Sequence, residues 1–471
     1  MKVVANNQGY QVKGDVKING QAATLDYRKP ADGDADIKLQ ATLDDASRAR
    51  LGLDLGPSIS GAIPVKVVGK IASGDRDSRI GVEADLTSLK LDNILPGWVK
   101  VAGKSSHAAF NVVPKAQSTR FEDIVIDGGG VSIKGSLEVD QNNELMNANF
   151  PAYSPSEGDK TSLKAERGQD GVVKVTIRGD VFDGRGFLKS AMSGTSSKED
   201  RNKARTLDLD VDLKLGAVAG FNGEAVRSAD VKMSRRGGVY RSLTLSGKIG
   251  RDTPLSAELR NRGPGQGRDV IVLQTNDAGA FFRFTDIYSK VIGGQLTLAM
   301  EPPTVEASPK DGLINVRDFT VKGEAALERA AAGTAPGGQS SGVAFSALRA
   351  EFTRQSGQFM VREGVVKGPA IGLTIEGNID YNSNQVRMSG TIVPVYGLNN
   401  MFGQVPILGL FLGGGSNEGL IGVTYEVVGS PGQPVVRVNP ISAMAPGVFR
   451  KIFEFNTGKQ NNNQIELPPN N

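Results

Sequence analysis

The stretch LDLDVDLKL, Leu207 to Leu215, decides the fold. Leu207, Leu209, Val211, Leu213 and Leu215 occupy every second position, and Asp208, Asp210, Asp212 and Lys214 fall between them. In an extended chain successive side chains point to opposite faces, so the five apolar residues share one side of a strand and the four charges the other. A helix would scatter both sets around its axis. The same alternation recurs in RIGVEADL (Ile80, Val82, Ala84, Leu86), VVKVTIRGD (Val173, Val175, Ile177), YRSLTLSGKI (Leu243, Leu245), GQLTLAM (Leu296, Leu298) and GLTIEGNID (Leu373, Ile375). Turn residues punctuate these runs, with SGDRDS at Ser73, DGGG at Asp127 and RRGG at Arg235.

Composition agrees with a β reading. Glycine takes 60 of 471 positions, well above the usual share of ~7%, while aromatics reach only 6%. A chain 39% hydrophobic and 23% charged can bury a large body and is not globally disordered. Strands spaced roughly every 12 to 18 residues form one long antiparallel series, which must close into a barrel or grow lengthwise.

Helical spacing is scarce. Leu43 to Gly52 reads as one short helix with Asp44 as its cap, and 277–292 as a second, capped by Asp277. The expected organisation is a repeating β region over 1–322, a Gly/Ser/Pro-rich flexible loop over 323–342 that starts helical, a C-terminal β region over 343–455 and a disordered tail over 456–471.

Net charge is +4, with the basic residues dispersed. The densest runs, SSKEDRNKAR (Ser196 to Arg205) and SRRGG (Ser234 to Gly238), read as solvated turns, so no nucleic-acid partner is expected. The opening MKVVANNQGYQVKGDVKING holds no apolar run of signal-peptide length. It reads as a strand already in progress, the expectation being that the chain begins inside a longer one.

Little chemistry is visible. There is no cysteine, and the single histidine, His107, cannot build a two-histidine metal site, so a structural role is expected for it. Asp32, Asp34 and Asp36, like Asp208, Asp210 and Asp212, resemble the opening of a calcium loop. The first set lacks the closing bidentate acid, and a strand explains the second better. No P-loop, nucleophile elbow or dinucleotide fingerprint occurs. The expectation is a protein that is not an enzyme, with no metal and no cofactor.

Several stretches together resemble the AsmA-like superfamily, and within it the YhdP-like branch of large Gram-negative envelope proteins. They are DIKLQATLDDASRARLGLDLG, ADLTSLKLDNILPGWVKVAGK, FEDIVIDGGGVSIKGSLEVD, LKAERGQDGVVKVTIRGDVFDGR and TNDAGAFFRFTDIYSKVIGGQLTLAM. The resemblance is firmest from Gly368 to Phe455, where GTIVPVYGLN, EGLIGVTYEV and VNPISAMAPGVFRKIF occur. It implies a mainly β fold, an elongated antiparallel sheet curled into a U-shaped, taco-like apolar groove with a few short helices. It also implies a periplasmic location, with anchorage in the inner membrane through an N-terminal helix outside this sequence. The implied function is a non-enzymatic conduit for phospholipid between inner and outer membranes.

The expected groove lining is Val173, Val175, Ile177, Leu207, Leu209, Val211, Leu213, Leu215, Leu243, Leu245, Leu373 and Ile375. Near the C-terminus an apolar passage broken by Pro406 reads as short helices at the groove's exit rather than a spanning helix. Met401, Phe402, Ile407, Leu408, Leu410, Phe411, Leu412, Phe449, Arg450, Lys451 and Phe453 are its expected membrane contacts. The competing reading is an envelope structural or assembly factor that binds protein partners through open sheet edges. An outer-membrane barrel fits less well, for want of aromatic girdles.

Overall fold

A computed structural model describes residues 1–18, 20–50, 59–73, 78–92, 97–193, 207–260, 268–303, 308–332, 342–355, 357–394 and 423–439. These residues are mainly β, with four short helices among them. None of the described helices is long and apolar enough to cross a membrane. The chain divides into two compact units. Unit one comprises Met1–Ser190, Ser196–Val218 and Asp230–Gly238. Unit two comprises Ala191–Thr195, Ala219–Ala229 and Val239–Asn471.

In unit one, β1 (Lys2–Asn6), β2 (Gly9–Ile18), β3 (Gln21–Pro30) and β4 (Ala35–Leu43) pair in sequence as antiparallel neighbours. The helix α1 (Asp45–Arg50) and the two-residue β5 (Ile59–Ser60) follow, and β6 (Ile63–Ile71) then pairs with β4. β7 (Arg79–Asp85) pairs with β6. The short β8 (Lys90–Asp92) and β9 (Val99–Lys100) join β5 in a small separate sheet. The main sheet resumes with β10 (His107–Pro114) on β7, then β11 (Ser118–Gly128), β12 (Val131–Asp140), β13 (Leu145–Ser154), β14 (Lys160–Arg167) and β15 (Val173–Asp183). The helix α2 (Arg185–Ser193) follows, and the division between units runs through β16 (Leu209–Ala219) and β17 (Ala225–Arg236).

Unit two runs through β18 (Val239–Ile249), β19 (Thr253–Arg260) and β20 (Val270–Thr275), then the helix α3 (Ala278–Phe284). β21 (Val291–Met300) and β22 (Lys310–Val321) lead to the helix α4 (Ala325–Ala332). β23 (Val343–Gln355), β24 (Gln358–Lys367), β25 (Ile371–Asp380), β26 (Gln385–Pro394), β27 (Val423–Ser430) and β28 (Gln433–Asn439) complete it. Every pairing from β18 to β28 is antiparallel between chain neighbours.

The first expected helix is realised as α1, where the Asp44 carboxylate accepts the Ser47 amide at 2.8 Å. The helix expected over 277–292 is shorter, ending at Phe284, and Val291 already belongs to β21. Two local features end it. The Thr285 hydroxyl donates back to the Phe281 carbonyl at 2.8 Å, and Asp286 takes the left-handed conformation, φ 57°. The span over 323–342, expected to start helical, does so with α4, which buries Leu327 and Ala331 on one side. The tail over 456–471 lies outside the described residues.

At the start of α3 the Asp277 carboxylate accepts the Ala280 amide at 2.9 Å, satisfying a donor the helix itself cannot. Phe281, Phe282 and Phe284 are all buried, so this one cap positions three aromatic rings. Asp277→Ala is therefore expected to lower the stability of unit two by about 1 kcal/mol, read by urea denaturation. An unchanged midpoint would mean that packing alone holds the helix.

Candidate functional site

The register carries a largely apolar rung from strand to strand. In unit one Val3, Val12, Tyr27, Ile37, Gly69, Ile80 and Val112 are successive partners across β1, β2, β3, β4, β6, β7 and β10. Phe121, Leu137, Ala148, Ala165 and Val175 continue the same rung across β11 to β15. Across twelve strands the rung thus carries no charged side chain, Tyr27 bringing a phenol and Gly69 no side chain at all. A neighbouring rung runs Val16, Ala23, Ala41, Val65, Ala84, Ala108, Ile126, Ile133 and Tyr153. Between them lie Leu25, Leu39, Val67, Val82 and Phe110.

Burial along this face is graded. On β4, β6 and β7 the residues Ile37, Leu39, Val65, Val67, Ile80 and Val82 are only half-buried, while the alternate residues Lys38, Gln40, Lys66 and Glu83 are exposed. From β11 to β15 the face deepens into a cluster of Ile124, Ile133, Phe150, Tyr153, Leu163 and Val173. Val175, Ile177, Leu207 and Leu209 pack against this cluster. The structure therefore brings together five of the expected lining residues of unit one, Val173, Val175, Ile177, Leu207 and Leu209. Val211 and Leu213 are half-buried further along β16, and Leu215 is fully buried. A second cluster of Leu86, Leu89, Leu91 and Trp98 is contributed by the β7–β10 connection and the small sheet, and packs with Ala84 and Ala108.

Unit two repeats the device. One rung runs Leu245, Ala257, Leu273, Leu298, Ile314, Ala350, Gly364 and Ile375. Another runs Leu255, Thr275, Leu296, Val316, Leu348, Val366, Leu373, Ile392 and Val423. The expected residues Leu245, Leu373 and Ile375 lie on these rungs, with Leu243 two positions along β18 from Leu245 and half-buried. Gly312 is required here, because a Cβ would lie 2.1 Å from the Phe352 ring. The uncovered backbone lets that ring lie flat and stack on Phe359 at 4.4 Å between centroids. Unit two is more closed than the first half of unit one, because Val272, Ala299 and Leu313, on the opposite face, are also buried.

Opposite the apolar face of unit one, cross-strand ion pairs hold the register. Lys66 meets Glu83 at 3.1 Å, Arg178 meets Asp212 at 2.8 Å, and Arg236 meets Asp210 at 2.8 Å. Their hydrogen bonds with these guanidinium groups, Arg178 for Asp212 and Arg236 for Asp210, hold both carboxyls below the usual range. Asp208 accepts the Gly237 amide at 2.7 Å. All three aspartates of LDLDVDLKL thus have protein partners. In the other acidic triplet Asp34 accepts the Ser73 amide at 3.1 Å. Among the described residues no group of histidines and carboxylates could hold a metal ion. His107 is exposed on the polar face, opposite Asp85 and Asp127, beside a shallow trough of about 680 Å³ that Gln40, Lys66 and Glu83 also line.

The expected exit residues Met401, Phe402, Ile407, Leu408, Leu410, Phe411, Leu412, Phe449, Arg450, Lys451 and Phe453 lie outside the described residues. The half-buried residues of β4 and β6 are the ones the sequence reading missed. Their signal was present in DIKLQATL, where the alternation is as regular as in LDLDVDLKL, and in IPVKVVGKI, where only Val68 and Gly69 interrupt it. Comparison with family models, with curated proteins and with solved structures gives no match.

One carboxyl under the deep cluster is unusual. Asp159 is only 6% exposed, and its oxygens accept the Ser156 amide at 2.9 Å and the Asp183 amide at 2.6 Å. Burial pushes it up to about 6, against the pull of those two amides. An acid raised in the folded state stabilises the fold below its unfolded value, near 3.8, and loses that contribution as pH rises through about 6. Urea denaturation should therefore show the wild type losing about 2 kcal/mol relative to Asp159→Asn between pH 4 and 6.5. Parallel pH profiles for the two proteins would sink this assignment.

Proposed function

We propose that the protein binds lipid acyl chains along its apolar sheet face and passes them between membranes without chemical change. The observation that carries this reading is the twelve-strand rung from Val3 to Val175, most of whose larger side chains are half-buried rather than enclosed. A monomer rarely leaves an apolar strip of that extent to water, and strips of this kind mark binding surfaces. With strands spaced about 4.8 Å apart, the rung runs for about 50 Å, several times the ~15 Å hydrocarbon depth of one bilayer leaflet. An acyl chain can lie on it and move along it, because successive rungs offer the same contact. The polar face behind, with its ion pairs, stays in water.

The reading needs no reactive group. It also agrees with the AsmA-like resemblance of the sequence, from which the periplasm, an inner-membrane anchor, the U-shaped groove and phospholipid as cargo are carried over as part of the proposal. A second reading, strand addition by a protein partner, draws on β1, which is exposed along its whole length.

The test is the lipid that accompanies the purified protein. Mass spectrometry of the wild type should find phospholipid. Leu39→Asp with Val67→Asp and Val82→Asp should reduce it to background while the circular dichroism stays that of a β protein. Leu209→Asp with Val211→Asp and Leu213→Asp should do the same further along the face. A folded variant with undiminished lipid would remove that stretch from the path, and lipid-free wild type held by a protein partner would favour strand addition.

A further inference from the structure

Unit one carries a second apolar feature that the sheet face does not explain. Val99, Val101 and Phe187 are 50%, 60% and 62% exposed, the three most exposed large apolar side chains among the described residues of the unit beyond its first strand. They come from two elements that touch. A side chain at Gly186, at the start of α2, would meet Val99 Cγ2 at 3.3 Å and the Gly97 carbonyl at 3.3 Å, so the helix sits directly against β9. Gly97 is itself in the left-handed region, φ 81°, and the Phe182 ring lies over it.

The outward aim of the two valines is built in. Lys100 between them is 3% exposed, and its ammonium donates to the carbonyls of Thr87 at 3.1 Å, Leu89 at 2.9 Å and Val101 at 3.2 Å. With Lys100 turned in and held on three acceptors, Val99 and Val101 must turn out. On α2, Leu188 is half-buried while Phe187 and Lys189 face outward.

The surroundings are basic. Lys104 and Arg185 line a pocket of about 220 Å³ next to Val99, together with Glu157 and Asp183. Arg185 bonds Asp183 at 2.6 Å, and Lys189 adds its field to the same carboxylate. At the surface three cations, Lys104, Arg185 and Lys189, stand against two carboxylates, Glu157 and Asp183, with Asp159 buried beside Asp183.

We infer that Val99, Val101 and Phe187, with Lys104, Arg185 and Lys189 around them, dock unit one onto an anionic lipid bilayer surface. The choice of a bilayer rests on the lipid-binding reading above. Two observations on the patch itself agree with it. Three apolar side chains fall well short of the ~800 Å² per partner of a stable protein interface, yet they suit shallow insertion at the headgroup boundary. Long basic side chains at the rim reach anionic headgroups while their stems stay against apolar surface.

The test uses the full chain and vesicles of phosphatidylcholine with or without phosphatidylglycerol. Flotation should show binding to the anionic vesicles that weakens with added salt. Phe187→Ser with Val101→Ser should lower the partition coefficient about tenfold or more. Lys104→Glu with Lys189→Glu should lower it by a similar factor. Because these residues are exposed, thermal unfolding should be unchanged, and co-purified lipid should stay at the wild-type level. That last measurement separates the patch from the sheet face: loss of bound lipid reports on the face, loss of flotation on the patch. Wild-type protein indifferent to phosphatidylglycerol, or folded variants that float as well as wild type, would overturn the inference.

Discussion

Everything distinctive about this protein follows from cross-strand register. A strand alone separates apolar from polar residues with a period of two, but that makes only a striped ribbon. A continuous surface requires that each strand meet its neighbour in the one alignment that sets apolar opposite apolar, since a slip of one residue inverts a whole strand. Val12 to Tyr27 to Ile37, and onward to Val175, shows that alignment kept across twelve strands. The charges on the other face help keep it. Lys66–Glu83 and Asp210–Arg236 each join neighbouring strands, and a slipped register would separate them. Single exposed pairs add little stability. A pair that can form in only one register favours that register over its neighbours.

The β character and the approximate places of α1, α3 and α4, though not of α2, were legible in the sequence, because alternation and capping are local properties. LDLDVDLKL contained its own face assignment, and Asp208, Asp210 and Asp212 do lie away from the cluster that Leu207 and Leu209 join. What alternation cannot convey is where a strand departs from it. The β11 pairing shifts between Phe121 and Ile124, around Asp123 at φ 51°, so that Phe121 and Ile124 serve the same apolar side although their spacing is odd. β24 shifts between Val361 and Gly364, and both Val365 and Val366 end up buried. A non-glycine residue in the left-handed region leaves no signature that separates it from an ordinary aspartate in a strand.

The patch at Phe187 was illegible for a different reason. By the rule of alternation a lysine between two valines, as in Val99, Lys100 and Val101, should face water. In the structure it faces inward, because the carbonyls of Thr87, Leu89 and Val101 converge where its ammonium can reach all three. Buried lysine needs such acceptors. They come from a connection with no regular structure, which periodicity does not describe.

The two halves of unit one's apolar face also differ in what keeps them ordered. Around Phe150, Tyr153 and Leu163 the side chains enclose one another, so burial itself stabilises the sheet. Around Leu39, Val67 and Val82 each large side chain remains half in water and forgoes part of that stabilisation. There the backbone ladder, with its unbroken pairing from β2 to β10, carries more of the load. A face arranged this way can take an apolar guest without first breaking a core. The stabilisation that the side chains do not obtain from one another is available to whatever covers them.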